Sequence, residues 1–278
     1  MSVNLPPAGP SAPRTRFDAN AAWKSAAGVI RANRQILLVM AGLFFLLPQL
    51  AVDFILPQPA PGLEGEAAGE ALMDIYASWW PLILLGFIAQ GAGLLAIIAL
   101  IAGRGRPSVS EAIAAGLKAL PTMIAAQLVV GAGVGLGILL ILLPFAAIGG
   151  DAMMGLALIP ALALAMWIYS RTLLIAPMVA AGGLRNPFEA IVASWKTTRG
   201  NASRLLLFFV LLLLATTVIY LVATSVPAAL IAVIGGAEAA GIAVALFGSL
   251  VAAAFSLVSA AVLTAAWRQL VPPPTTEA

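Results

Sequence analysis

The sequence predicts an all-α, polytopic membrane helix bundle with six transmembrane helices, and three observations carry that prediction. Of its 278 residues, 62% are apolar and only 9% are charged, against about 45–50% and about 25% in a soluble domain. Six stretches are apolar for the roughly 20 residues that a helix needs to cross about 30 Å of hydrocarbon. When the segments between them are assigned alternately to two sides of a membrane, all fourteen Lys and Arg residues fall on one side.

The spans cover about 35–56, 80–101, 122–148, 156–174, 205–226 and 242–266. The first is no cleaved signal, because a long polar and basic leader precedes it and five more spans follow. Pro48 and Pro160 are expected to kink the first and fourth spans. The apolar segment 227–234 is too short to cross and reads as an outer interfacial turn. Residues 1–14, rich in Pro, Ser and Ala, and residues 272–278 read as disordered cytoplasmic tails. One membrane domain, 15–271, lies between them.

Orientation follows from the cations. Arg14, Arg16, Lys24, Arg31, Arg34, Arg104, Arg106, Lys118, Arg171, Arg185, Lys196, Arg199, Arg204 and Arg268 share their side with only four acids, Asp18, Glu111, Glu189 and Glu277. The other side has Asp53, Glu64, Glu66, Glu70, Asp74, Asp151 and Glu238 and no cation. Lys and Arg mark the cytoplasmic face, so both termini are expected there. An Ala-rich multi-pass chain with this asymmetry points to a bacterial inner (plasma) membrane. Tryptophan rings favour the headgroup layer. Trp79 and Trp80 stand at the outer mouth of the second span, Trp167 and Trp267 near the inner ends of the fourth and sixth, and Trp23 and Trp195 on cytoplasmic segments. Trp23, Trp79, Trp80, Trp195 and Trp267 are the expected interfacial anchors.

A threefold repeat underlies the spans. Thr15-Arg16-Phe17-Asp18, Ser108-Val109-Ser110-Glu111 and Asn186-Pro187-Phe188-Glu189 each pair a capping residue with an acid three positions on, the capping-box spacing. Pro187 suits a first helical turn, and Gly200 is placed to end the third helix. Phe188, Ile191, Val192 and Trp195 form an apolar stripe at helical spacing, as do Val109, Ile113, Leu117 and Leu120. The pattern predicts three units of interfacial amphipathic helix plus transmembrane hairpin. Such helices lie in the headgroup plane with their cations toward anionic lipid; the alternative is a connector that only packs against the bundle.

Within the spans, Gly131, Gly133, Gly135 and Gly137, and the ridge Gly248, Ala252, Ser256, Ala260 and Thr264, read as packing seams between helices. Asp53 and Arg171 are the two ionisable groups, near opposite ends of their spans: Asp53 where water reaches it, Arg171 where it can snorkel. Gln49, Gln90 and Gln127 could bond between helices. With no His and no Cys, the commonest general base, the commonest metal ligand and all thiol chemistry are excluded. The far-side acids fall in loops without a partnered base, and Gly103-Arg104-Gly105-Arg106-Pro107 is a basic turn rather than a phosphate loop. The cations hug the membrane boundary, so anionic lipid, not nucleic acid, is their counter-charge.

The stretch Arg171-Thr172-Leu173-Leu174-Ile175-Ala176-Pro177, followed by Arg185-Asn186-Pro187-Phe188-Glu189 and by Ser194-Trp195-Lys196-Thr197-Thr198-Arg199-Gly200, resembles the membrane domain family associated with glycerophosphoryl diester phosphodiesterases. Related bacterial six-span proteins of unknown function share the pattern. The opening Phe17-Asp18, Trp23, Arg34 and Leu47-Pro48 fits as well, so the resemblance runs from about 15 to 270. It departs at Ala181, before Gly182, where members commonly carry an acid. The resemblance implies a membrane module near glycerophospholipid metabolism, without the catalytic barrel, and marks Arg171, Pro177, Ser194, Trp195 and Gly200 as family-motif positions.

The expected function is a non-catalytic inner-membrane module, without cofactor or metal, that contacts anionic lipid or an unknown protein partner through Lys24, Arg31, Arg34, Lys118, Arg185, Lys196, Arg199 and Arg204. The alternative is a transporter or exporter of a small amphiphilic molecule, with a cavity lined by Gln49, Gln90, Gln127 or Arg171. An intramembrane hydrolase is a remoter third.

Overall fold

The structure, a computed structural model, describes residues 16–57, 62–103 and 107–271, without the side chains of Asp151, Ala152 and Met154. The expectations for Arg14, Thr15, Arg104, Arg106, Glu277 and both tails fall outside the described residues. Among the described residues every regular element is helical: α1 (Ala19–Ala32), α2 (Arg34–Ala41), a π turn (Gly42–Leu46), α3 (Leu47–Ile55), α4 (Gly65–Ala102), α5 (Val109–Ile148), α6 (Asp151–Thr172), α7 (Ile175–Ala180), α8 (Pro187–Thr198) and α9 (Ala202–Leu270). Five stretches, Arg34–Ile55, Gly65–Ala102, Val109–Ile148, Gly155–Ala180 and Ala202–Leu270, are long and apolar enough to cross a membrane. The chain is a helical membrane protein.

Local chemistry accounts for the boundaries. Asp18 caps α1 by accepting from the Ala21 N–H. Ser108 and Glu111 form the full capping box of α5. Asn186 caps α8, with Pro187 in its first turn. Pro48 has no N–H and its ring crowds the preceding turn; the helix answers with the π turn just before it, where the Leu47 N–H bonds the Gly42 carbonyl five residues back. Pro160 lies inside an uninterrupted α6.

Three expected boundaries differ. The acidic segment before the second span is not a loop: α4 begins at Gly65 and carries Glu66, Glu70 and Asp74 in its first turns, where helix formers and acids near a positive N-terminus favour helix. The second amphipathic segment is not separate either, since α5 runs unbroken through Pro121. Ala119, Leu120 and Ala126 pack with Leu95, Ala96 and Ile98 of α4 in the main core, which offsets the one hydrogen bond that Pro121 removes. Finally, 227–234 is helical, and the break in α9 falls at Gly236, with φ 77° and ψ −176°. That conformation is open essentially to glycine alone, whereas the Ala, Leu, Ile and Val between 228 and 234 have no reason to leave the helix.

Beyond Gly236 the chain doubles back. Tyr220 meets Gly248, where a Cβ would stand 3.1 Å from the Tyr220 hydroxyl. Leu205 and Phe209, at one end of α9, share a cluster with Ala261, Val262, Ala265, Ala266 and Leu270 at the other. Each arm is about 50 Å long at 1.5 Å per residue. The same cluster takes in Phe17, Ala22 and Ala26, so α1 packs on the end of α9. Asp18 N–H donates to Gln269 Oε1 at 3.1 Å, and Gln269 Nε2 donates to the Asp18 carbonyl at 3.2 Å.

Of the two small-residue seams, one packs as expected. Ala260 and Thr264 are fully buried, and Gly248 lies against Tyr220. The other does not: nothing stands within 4 Å of a Cβ built on Gly131, Gly133 or Gly135, and only Gly137 is close to a neighbour, Leu164. The tight crossing of α4 and α5 is instead at Gly116, where a Cβ would stand 2.7 Å from the Ala96 nitrogen and 2.9 Å from the Ala92 carbonyl oxygen.

Candidate functional site

Arg171 lies in the last turn of α6, where carbonyls lack intrahelical partners. The Arg171 carbonyl accepts from Ser194 Oγ at 2.7 Å and from Thr198 Oγ1 at 3.5 Å. Hydroxyls of α8 thus dock that helix on the end of α6. Ala190, Ser194 and Thr198, spaced four apart, are 0% exposed. This small-residue face, rather than the apolar stripe, is the one α8 buries: Phe188 is 62% and Val192 48% exposed. Small residues let the backbones approach until the hydroxyls reach the carbonyl, which leaves Phe188 and Val192 outside.

Docking brings Trp195 onto α6. Its ring packs edge-to-face with Trp167, centroids 5.1 Å apart, and the Arg171 guanidinium carbon stands 5.9 Å from its centroid. A cation at that distance is attracted by the ring quadrupole. The Arg171 Nε and Nη1 are buried and bond no group among the described residues. A buried donor without an acceptor costs about 1–3 kcal/mol, more when charged.

Beside the guanidinium is a cavity of about 460 Å³ lined by Trp167, Ser170, Arg171, Gly200, Ala202 and Ser203. Gly200 takes φ 88°, the left-handed conformation that turns the chain from α8 into α9 within three residues. Asn201 Oδ1 accepts from the Phe17 N–H at 2.8 Å and makes no capping bond to α9. Ala202 and Ser203, in the first turn of this long helix, line the cavity. Such a terminus carries about half a positive charge and favours anions. The polar side chains of the cavity, Ser170, Arg171 and Ser203, stand among Ala163, Met166, Trp167 and Leu206. No group of three His, Cys, Asp or Glu among the described residues could hold a metal ion.

The remaining expected residues are distributed as follows. Lys24, Arg31, Arg34, Lys118, Arg185, Lys196 and Arg199 are exposed, and Arg204 is half-buried in the first turn of α9. Arg31 and Arg34 line a shallow cavity of about 290 Å³ at the elbow between α1 and α2. Trp23 and Trp80 are exposed and Trp79 is half-buried. Trp267 is half-buried with its Nε1 unpaired, and lines a cavity of about 980 Å³ with Glu111, Gly182 and Arg268. Of the positions marked by the resemblance, Arg171 and Gly200 line the Arg171 cavity, Ser194 and Trp195 contact Arg171 without lining it, and Pro177 is buried in α7. Gln49, Gln127 and Arg171 line three different cavities. Gln49 bonds Asp53 on its own helix rather than a neighbouring one. Thr198, Trp167 and the start of α9 were not expected in the site; the spacing of Ala190, Ser194 and Thr198 was the signal for the first. No family model, curated protein or solved structure matches this chain.

Proposed function

We propose that this chain is a non-catalytic, six-span lipid-binding module that holds the phosphate of an anionic phospholipid at Arg171, on the cytoplasmic side of a bacterial inner membrane. The observation that carries the reading is the Arg171 guanidinium, buried with two nitrogens unpaired beside a cavity at the start of α9. A phosphodiester supplies the missing acceptors, and Arg is the side chain whose fork best fits one. The exposed cations on α1, α5 and α8 extend the same face, each contributing about 1 kcal/mol near an anionic surface.

The six-span count rests on reading the arms of α9 as two crossings, folded at Gly236. That count keeps Lys and Arg on one side, which supports cytoplasmic termini. A threefold unit is supported by burial at matching positions: Ala22, Gly116 and Ser194 are each buried, each followed two residues later by an exposed lysine, Lys24, Lys118 and Lys196. The resemblance to the phosphodiesterase-associated membrane domain supports a place near glycerophospholipid metabolism. Three of the four polar groups that a transport cavity would need line separate cavities, which weighs for the lipid module over the transporter.

The test is native mass spectrometry of protein released from nanodiscs of equimolar phosphatidylglycerol and phosphatidylcholine. Wild type is expected to retain phosphatidylglycerol. Arg171→Gln should lose the tightest copy, and the combined Lys118→Glu, Lys196→Glu, Arg199→Glu and Arg204→Glu variant should lose most of the rest. Equal retention by all three proteins would overturn the reading and leave protein docking or transport.

A further inference from the structure

Asp53 is the only acidic residue in the first apolar stretch, Arg34–Ile55, and an ionisable group among apolar helices is a functional signal by default. Its Oδ1 accepts from Gln49 Nε2 at 3.1 Å and its Oδ2 from Ser249 Oγ at 2.6 Å. The second bond is the shorter of the two. Both donors are neutral. They fix the carboxylate in place and leave its charge uncompensated, with about two of its four lone-pair sites still open.

Those sites border a cavity of about 640 Å³ between α3 and the arms of α9, lined by Gln49, Asp53, Phe54, Tyr220, Ile242 and Gly248. Gly248 keeps it open, since a side chain there would press on the Tyr220 ring. Gln49 donates through Nε2, so its Oε1 is a second acceptor. No Lys or Arg occurs anywhere between residues 35 and 103 or between 205 and 267, the segments that build the cavity. The segments that line the cavity therefore supply no counter-cation of their own. One carboxylate and one amide oxygen would leave most of the shell of Ca²⁺, which takes six to eight oxygens, to water. They do match the N–H donors of a primary ammonium, and Phe54 and Tyr220 cover the methylenes that carry it.

We infer that this cavity binds a primary ammonium group on an apolar tail, with Asp53 as counter-charge and Gln49 Oε1 as second acceptor. The ammonium can belong to an aminophospholipid headgroup or to a free alkylamine. The site is independent of the Arg171 cavity: it takes the opposite charge, at the other end of the spans.

The test uses the full chain in nanodiscs containing, in turn, phosphatidylethanolamine, its N-methyl and N,N-dimethyl derivatives, and phosphatidylcholine, all with one acyl composition. Every member bears the same phosphate, so the Arg171 site cannot create a gradient along the series. Retention by native mass spectrometry is expected to fall about tenfold from first to last as N–H donors are replaced, and to be flat in Asp53→Asn. Because that variant may not fold, wild type is also heated with hexylammonium and with hexyltrimethylammonium, equal in charge; only the first should raise Tm. A lipid gradient alone assigns the site to a headgroup, and a hexylammonium shift alone assigns it to free amines. A flat lipid series together with equal effects of the two soluble cations overturns the inference, as does a gradient that persists in folded Asp53→Asn.

Discussion

The two ends of the spans each hold one ionisable side chain among apolar helices, and they treat it in opposite ways. At the α6 end the chain satisfies the backbone of Arg171, through Ser194 and Thr198, and leaves Nε and Nη1 of the head without partners. At the α3 end it satisfies the head of Asp53, through Gln49 and Ser249, and leaves only the charge unanswered. The first arrangement lacks hydrogen bonds and invites a ligand rich in acceptors. The second has its hydrogen bonds and lacks a counter-ion.

That contrast can be broken at the Arg171 end first. A buried donor without an acceptor costs stability, and an apolar side chain in its place removes that cost. Arg171→Met should therefore unfold no earlier than wild type in a zwitterionic detergent. It should also forfeit the stabilisation that phosphatidylglycerol gives the wild type, about 2.7 kcal/mol when lipid is a hundredfold above its Kd. Thermal unfolding with and without the lipid reads both. A variant that still gains as much from phosphatidylglycerol would remove Arg171 from the site.

A smaller effect separates the two serines. Ser249 bonds a carboxylate and Ser194 a neutral carbonyl, and bonds to charged groups contribute about 1.5–3 kcal/mol against about 1 for neutral ones. Ser249→Ala should lower the denaturation midpoint more than Ser194→Ala in the same detergent. The reverse order would mean that Asp53 is not held as a charge.

The smallest effect concerns the start of α5. The Ser108 backbone N–H and hydroxyl hold the Glu111 carboxyl below its ordinary value of 4.5. A group lowered in the folded state lends stability above its unfolded value and loses it as pH falls through the folded one. Wild type should therefore lose the capping contribution below pH 4.5, and Glu111→Gln should lack that increment of pH dependence. Thermal scans across that range, on both proteins, check it.

Much of this was legible in the chain. The apolar runs, the caps at Ser108 and Asn186 and the turn at Gly200 follow from local chemistry, and local chemistry is what a sequence displays. The failures share one cause: small residues look alike whether they face protein or lipid. Gly131, Gly133 and Gly135 read as a seam and face open space, while Ala190, Ser194 and Thr198, beside a bulkier stripe, form the buried face of α8. Which face is covered depends on what arrives from elsewhere in the chain, here a carbonyl at Arg171. The fold-back at Gly236 was misplaced for a related reason, because apolarity and length do not reveal where a backbone needs a positive φ. Asp53 was visible, but its partner Ser249, 196 residues away, was not.

The paired bonds between Asp18 and Gln269 join residues 251 apart. A ribosome makes the first long before the second, so α1 waits with its buried face uncovered until the returning arm of α9 exists. Chain interrupted before residue 261 would lack the Ala261–Leu270 surface on which Phe17, Ala22 and Ala26 rest. The clasp therefore closes last in synthesis: the face of α1 that carries Ala22 and Ala26 has its seat only once the end of α9 exists.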